Sequence, residues 1–270
     1  MNEVIPVSAE WLARRERADG RSRSAALAAE ATAMMSPPIV VHDLGSGTGS
    51  MMRWLAPQLP GPQTWVLHDW NPELLEHAVL ESAADASGRS VLARTNVEQV
   101  ALMDEDALAG ASLITSSALL DVLTRAEIEA IVRACVAARA PALFSLSVTG
   151  RVRLDPDDAG DRVFEAAFND HQRRADGGRR LLGPDAVDTA AALFAAAGWS
   201  VRIADTPWHL DTSDRGLLEE WLHGWVTAAA EARGALREWA EEYLRTRAAQ
   251  AARGSLRVRV DHRDLLAWPR

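Results

Sequence analysis

The run Asp43-Leu44-Gly45-Ser46-Gly47-Thr48-Gly49 carries the strongest chemical signal in this 270-residue chain. Three glycines at alternating positions let the backbone turn tightly and let a ligand approach with no Cβ in the way. Backbone N–H groups exposed where a helix opens after such a turn favour an anionic or polar ligand. The turn is not the Gly-x-Gly-x-x-Gly of dinucleotide binders, because Ser50 and Met52 stand where that pattern needs glycine. A pyrophosphate dinucleotide is therefore disfavoured. The second signal is Asp69, 20 residues past Gly49. At the end of a strand in an open α/β sheet, such an acid accepts hydrogen bonds from ribose hydroxyls. Asp69-Trp70-Asn71-Pro72 is also good turn chemistry by itself, which is the competing local role for Asp69.

Those residues need a strand before the turn and a helix after it. Ile39 to Asp43 is a short β-branched run bounded by prolines and glycines, as in a buried parallel strand. Met51 to Leu59 has helical periodicity. Further strands are expected at Thr64–His68, Ser90–Arg94, Ser112–Thr115, Ala142–Val148, Trp199–Ala204 and Leu256–Val260. Helices are expected at Glu73–Ala83, Arg125–Ala138, Val163–His171, Leu182–Ala197, Asp214–Ala232 and Gly234–Arg253. Ala9 to Met35 reads as one helix or two, with Asp19-Gly20 as the expected break. This alternation predicts a doubly wound α/β fold with right-handed crossovers.

Composition removes several chemistries. All 29 basic residues are arginine, so Schiff-base, pyridoxal-phosphate and P-loop mechanisms have no lysine to use. Cys135 is the single cysteine, which excludes an internal disulfide or a CxxC pair. The seven histidines show no H-x-x-x-H or H-E-x-x-H spacing, so no metal is expected. A net charge of −9 disfavours a nucleic-acid partner. No run of 18 apolar residues and no signal-peptide pattern is present, which leaves no expected membrane span and a cytoplasmic location. Ten tryptophans are unusual, and core packing or a ligand cavity could each use them. Trp221, Leu222 and Trp225 form an apolar stripe that suits either a core or a homodimer surface.

Together the Asp-Leu-Gly-Ser-Gly-Thr-Gly turn and Asp69 resemble the class I S-adenosylmethionine-dependent methyltransferases, over roughly Ile39 to Val148. The resemblance implies a Rossmann-like seven-stranded sheet, helices on both faces, a reversed last hairpin and a helical cover. It implies S-adenosylmethionine as cofactor, held by Asp43, Gly45, Ser46, Gly47, Gly49 and Asp69, with Trp70 against adenine. Asn96-Val97 falls where the family usually has an acid and an apolar residue. Ser116 and Ser117 fall in the loop facing the methionyl group and substrate, with ordinary loop hydroxyls as the alternative. The implied cover comprises residues 1–38 as an N-terminal cap, ahead of a methyltransferase domain over 39–270, and insertions near 150–180 and 205–254.

The middle insertion carries His171 as a candidate base and Arg173 and Arg174 as candidate anion ligands. Arg14, Arg17 and Arg21 are possible partners for them. The competing role is a solvated helix end favoured by the helix dipole. His209 and Asp121 are weaker candidates, Asp121 with a helix-start alternative. The expectation is a methyltransferase acting on a small, possibly anionic molecule. The alternatives are an RNA or protein methyltransferase, for which Arg173 to Arg180 could dock RNA, or a non-catalytic cofactor-binding partner protein.

Overall fold

The computed structural model describes residues 7–80, 83–100 and 103–270. In chain order the elements begin with α1 (Ala9–Ser22), α2 (Ala25–Ala33), β1 (Ile39–Leu44), α3 (Ser50–Leu55), β2 (Gln63–Asp69) and α4 (Pro72–Leu80). They continue with β3 (Leu92–Val97), β4 (Leu113–Ser117), α5 (Arg125–Ala138), β5 (Ala142–Asp155) and α6 (Asp161–Gln172). A small hairpin follows, β6 (Ala175–Asp176) and β7 (Arg179–Arg180), then α7 (Ala186–Ala196), β8 (Ser200–Asp205) and β9 (Trp208–Leu210). The chain ends with α8 (Arg215–Ala232), α9 (Arg237–Ala252) and β10 (Arg257–Trp268). The expected continuation of α4 to Ala83 passes through residues 81 and 82, outside the described residues.

Seven strands form one path, β3-β2-β1-β4-β5-β10-β8, and the short β9 pairs with β10 beside it. The first five run parallel, and β10 runs antiparallel to both β5 and β8. This is the doubly wound sheet that the alternation of elements predicts, with the reversed last hairpin that the resemblance implies. β1 and β4 lie in the middle, covered on both faces, which explains their continuous apolar runs.

Three apolar cores result. One packs α5 and α7 on one sheet face, through Ile128, Ile131, Phe144, Phe194 and Leu265. Another packs α2, α3 and α4 on the opposite face, through Leu27, Val41, Met52, Trp65 and Leu75. The third joins α1, α6, α8 and α9 to the far ends of β5 and β10, through Phe164, Leu222, Trp225, Tyr243 and Val258. Leu222 and Trp225 are therefore used inside the chain, and Trp221 stacks on Trp225 at 5.4 Å between ring centres. Among the described residues no helix is long and apolar enough to cross a membrane.

Two boundaries differ from the expectation for physical reasons. The break between α1 and α2 lies at Arg23-Ser24 rather than Asp19-Gly20. Asp19 stays helical because its carboxylate accepts from Arg15 Nε at 2.9 Å and Trp208 Nε1 at 3.0 Å. Ser24 then caps α2 by accepting from the Leu27 N–H at 3.2 Å. The last strand runs to Trp268 instead of ending at Val260. Its second half buries His262 and Asp264 beside Leu265 and Leu266, and those polar residues interrupt the apolar pattern. Asp264 accepts from the Ser24 and Leu146 N–H groups and from Thr206 Oγ1, each at 2.8 Å.

Candidate functional site

The carboxyl ends of β1, β2 and β4 open onto one cavity at the point where strand order reverses. Open α/β sheets bind ligands at such a point, because the loops diverge there and leave a crevice. The glycine turn forms one wall. Gly45 and Gly47 have φ of +64° and +52°, the left-handed region that glycine adopts without strain. A Cβ on Gly47 would stand 2.9 Å from Leu12 Cδ1, so α1 sits directly over the turn. The Gly47 N–H donates to Asp69 Oδ2 at 2.8 Å, and the Asn71 N–H donates to Asp69 Oδ1 at 2.9 Å. These bonds orient Asp69 at the end of β2, and Trp70 beside it lies on the same cavity wall.

Asp43 is almost wholly buried at the end of β1. Its Oδ1 accepts from Thr115 Oγ1 at 2.8 Å, while its Oδ2 is buried with no partner. Burial pushes the Asp43 carboxyl up to about 6, and it raises Asp69 above the usual carboxylate range. An unpaired buried carboxylate oxygen is costly unless a ligand donor meets it. Ser46 Oγ, also on the wall, is buried and unpartnered.

A polar chain runs along the sheet to the cavity. His42 Nδ1 lies 2.9 Å from His68 Nε2, and His68 Nδ1 contacts Glu98 Oε1. The three fit a neutral pair in which His42 donates to His68 and His68 donates to Glu98. Burial, with His68 alongside, pushes His42 down to about 4. Glu98 and Gln99 line the cavity next to Asp69 and Trp70.

Of the sequence candidates, Asp43, Gly45, Ser46, Gly47, Asp69, Trp70 and Ser117 lie on this wall. Gly49 does not: it precedes α3, and a Cβ there would meet Ala78 Cβ at 3.1 Å, so it serves helix packing. Asn96 and Val97 also stand off the wall. β3 runs three residues past Arg94, which moves the strand end to Glu98-Gln99 and turns Asn96 into a donor to Glu98 at 2.7 Å. Ser116 sits on β4 with the opposite facing from Thr115 and Ser117, buried and away from the cavity.

His171, Arg173 and Arg174 are not on the wall either. Arg173 forms a forked pair with Asp185 at 2.7 and 2.9 Å. Arg174 donates to the His171 carbonyl at 3.0 Å, and His171 Nε2 lies 3.4 Å from Glu231. The end of α6 therefore faces α8 and the start of α7. Arg14 and Arg21 likewise pair with Glu220 and Asp214. His209 is exposed on β9. Asp121 is off the wall, with one buried unpartnered oxygen and a carboxyl raised by burial to about 6.

The wall includes groups the sequence reading missed. Trp11, Arg15 and Asp19 line it from α1, and their spacing of four places them on one helix face. Leu119, Val122 and Leu123 line it after β4. Arg179, from the β6–β7 hairpin, lines it while bonded to Glu127 at 2.9 and 2.8 Å.

No family model and no curated protein matches the chain. Solved structures do. Mycolic acid cyclopropane synthase CmaA1, complexed with SAH and CTAB, is similar at 14% identity over 90% of this chain and 81% of that one, with a TM-score of 0.47. The YcgJ protein from Bacillus subtilis gives 12% over 90% and 97%, at 0.48. The plantazolicin methyltransferase BpumL in complex with SAH gives 10% over 97% and 86%, at 0.44. The fold class rests on the strand order and the antiparallel β10 set between β5 and β8. The fold is the Rossmann-like one that the resemblance to class I methyltransferases implies. Its cavity combines the glycine turn, two buried carboxylates and a helix lying over them.

Proposed function

We propose that the chain is an S-adenosylmethionine-dependent methyltransferase acting on a small molecule. The observation that carries this is the buried, unpartnered Oδ2 of Asp43, on the same wall as the glycine turn and Asp69. S-adenosylmethionine presents an ammonium group, ribose hydroxyls and a flat adenine. Asp43 suits the ammonium, Asp69 the hydroxyls, and Trp70 the adenine face. When bound, the cofactor supplies an electrophilic methyl group. The chain must then align an acceptor and exclude water. α1 supports that role, since Trp11, Leu12, Arg15 and Asp19 cover the cavity. We assign residues 1–38 as the cap. The segments near 150–180 and 205–254 contribute α6, α8 and α9, which hold α1 in the third core.

The acceptor end is apolar, walled by Trp11, Leu12, Leu119, Val122 and Leu123. The two arginines on the wall are matched: Arg15 by Asp19 and Arg179 by Glu127. This favours an acceptor with an apolar body over an anionic one. The arginines between 173 and 180 that could have met RNA include three with internal partners: Arg173, Arg174 and Arg179.

Calorimetric titration with S-adenosylhomocysteine tests the proposal. One site per chain is expected, and Asp69→Ala should weaken it by about 1–3 kcal/mol. No detectable heat at millimolar ligand would overturn the reading. Binding without methyl transfer to any member of a broad small-molecule panel would favour the non-catalytic alternative.

A further inference from the structure

Arg23 is buried at the junction of α1 and α2, just behind the cavity wall. Its NH2 donates to Ser50 Oγ at 2.9 Å and to Ser117 Oγ at 3.0 Å, and its NH1 donates to the Ser50 carbonyl at 3.3 Å. Ser50 opens α3 directly after the glycine turn, and Ser117 ends β4. Both line the cavity. The guanidinium lies over the Trp54 ring at 5.6 Å, and its Nε has no partner. Among the described residues no carboxylate hydrogen-bonds to it. Burial lowers its pKa, while the fields of Asp19, Asp43 and Asp264 act the other way. A buried cation held by hydroxyls and a carbonyl, within reach of three carboxylates, is costly as a mere strut.

Asp43 is the one of those three with an unpartnered oxygen. The groups facing it are Arg23 from the α1–α2 junction, Asp69 from β2 and the Thr115 hydroxyl from β4. Burial and Asp69 favour its protonated form, and Thr115 and Arg23 favour the carboxylate. A protonated Asp43 would be a poor acceptor for an ammonium group.

We propose that Arg23 is a positioning residue: it ties the glycine-turn helix to the end of β4 and keeps Asp43 ionised to receive the cofactor's ammonium group. This deepens the cofactor reading above and rests on it. The charge and the strut are separable. A strut alone would change affinity by the same factor at every pH. A charge acting through Asp43 moves the pH at which affinity is lost.

The experiment is titration of S-adenosylhomocysteine into the wild type, Arg23→Met, Arg23→Lys and Asp43→Asn, from about pH 5.5 to 8. Wild-type affinity should fall on the acid side with a midpoint near 6. Arg23→Met should move that midpoint up, since the nearby cation favours the carboxylate and its loss favours the protonated form. Its affinity should be several-fold below wild type at about pH 6.5, a gap that narrows towards pH 8. Arg23→Lys should keep the wild-type midpoint, because the charge is retained. Asp43→Asn should lose the acid limb altogether. An unshifted midpoint in Arg23→Met, or an acid limb that survives in Asp43→Asn, overturns the proposal. The second outcome can be read even if Arg23→Met does not fold. Failure of the wild type to bind at any pH instead overturns the cofactor reading itself, and this proposal with it.

Discussion

Among the described residues, the carboxylates of Asp43 and Asp69 at the carboxyl ends of β1 and β2 face a cavity without cations hydrogen-bonded to them, whereas three aspartates around α6, α8 and α9 are matched to arginines. Asp43 has an open oxygen, and Asp69 accepts from the backbone N–H groups of Gly47 and Asn71. In the other region Asp161 pairs with Arg247, Asp170 with Arg233 and Asp185 with Arg173. Arg247 has no side-chain exposure, and it also donates to the Pro156 carbonyl and Gln250 Oε1. Tyr243 OH donates to the same Asp161. The difference shows where the molecule keeps polar groups for its own cohesion and where it leaves them for something else. A buried group without a partner weakens the fold unless a ligand completes it.

The comparison predicts opposite consequences for substitutions in the two regions. The largest effect is expected at Arg247. Arg247→Met leaves Asp161 without its cation in a buried setting, and breaking such a pair costs about 3–5 kcal/mol of stability. Chemical denaturation should show that loss, while S-adenosylhomocysteine affinity of the folded variant stays at the wild-type value. A fall in affinity with stability intact would break the comparison, since α9 would then belong to the site.

The reverse pattern is expected at Gly47. Gly47→Val puts a β-branched residue at φ +52° with its Cβ 2.9 Å from Leu12 Cδ1. It also perturbs the N–H that orients Asp69. Ligand affinity should drop by at least about a hundredfold, with far-ultraviolet circular dichroism unchanged, because left-handed strain at a single turn residue is local. The three cores lie elsewhere, so the sheet should persist. A valine variant that binds normally would mean that the turn does not touch the ligand.

Much of this contrast was legible in the residues, and the reasons for the rest are physical. The central strands read correctly because β1 and β4 are covered on both faces, so their apolar runs are continuous. β3 is an edge strand, exposed along nearly its whole length, and its polar Arg94-Thr95-Asn96 looks like a loop. The residues just past the strand end were therefore expected to be Asn96-Val97, whereas Glu98-Gln99 line the cavity. α1 carried a usable signal in Trp11, Arg15 and Asp19 at spacings of four, yet only the fold brings that face over the glycine turn. Arg23 gave no signal, because one arginine beside four others in residues 14–23 looks like surface charge. His171, Arg173 and Arg174 lie off the cavity wall, and the pairing that holds them was hidden for the converse reason. Their partners Glu231 and Asp185 sit far along the chain or across a turn, so their neutralisation was invisible.

The smallest expected effect sharpens that last point. Arg173 and Asp185 both retain substantial exposure, at 37% and 56% of their side-chain areas. An exposed pair contributes about 0–1 kcal/mol even in good geometry, because water and salt screen it and two long side chains must be ordered. Arg173→Ala should therefore move the unfolding free energy by no more than about 1 kcal/mol. It should leave cofactor affinity and the acceptor's KM unchanged once an acceptor is in hand. The fork that could have gripped a carboxylate or phosphate is already occupied by Asp185, and the end of α6 points towards α8 rather than towards Asp43 and Asp69. A several-fold rise in KM with unchanged cofactor affinity would show that Arg173 leaves Asp185 when an acceptor binds. The end of α6 would then have to be counted with the site rather than with the matched charges of the helical region.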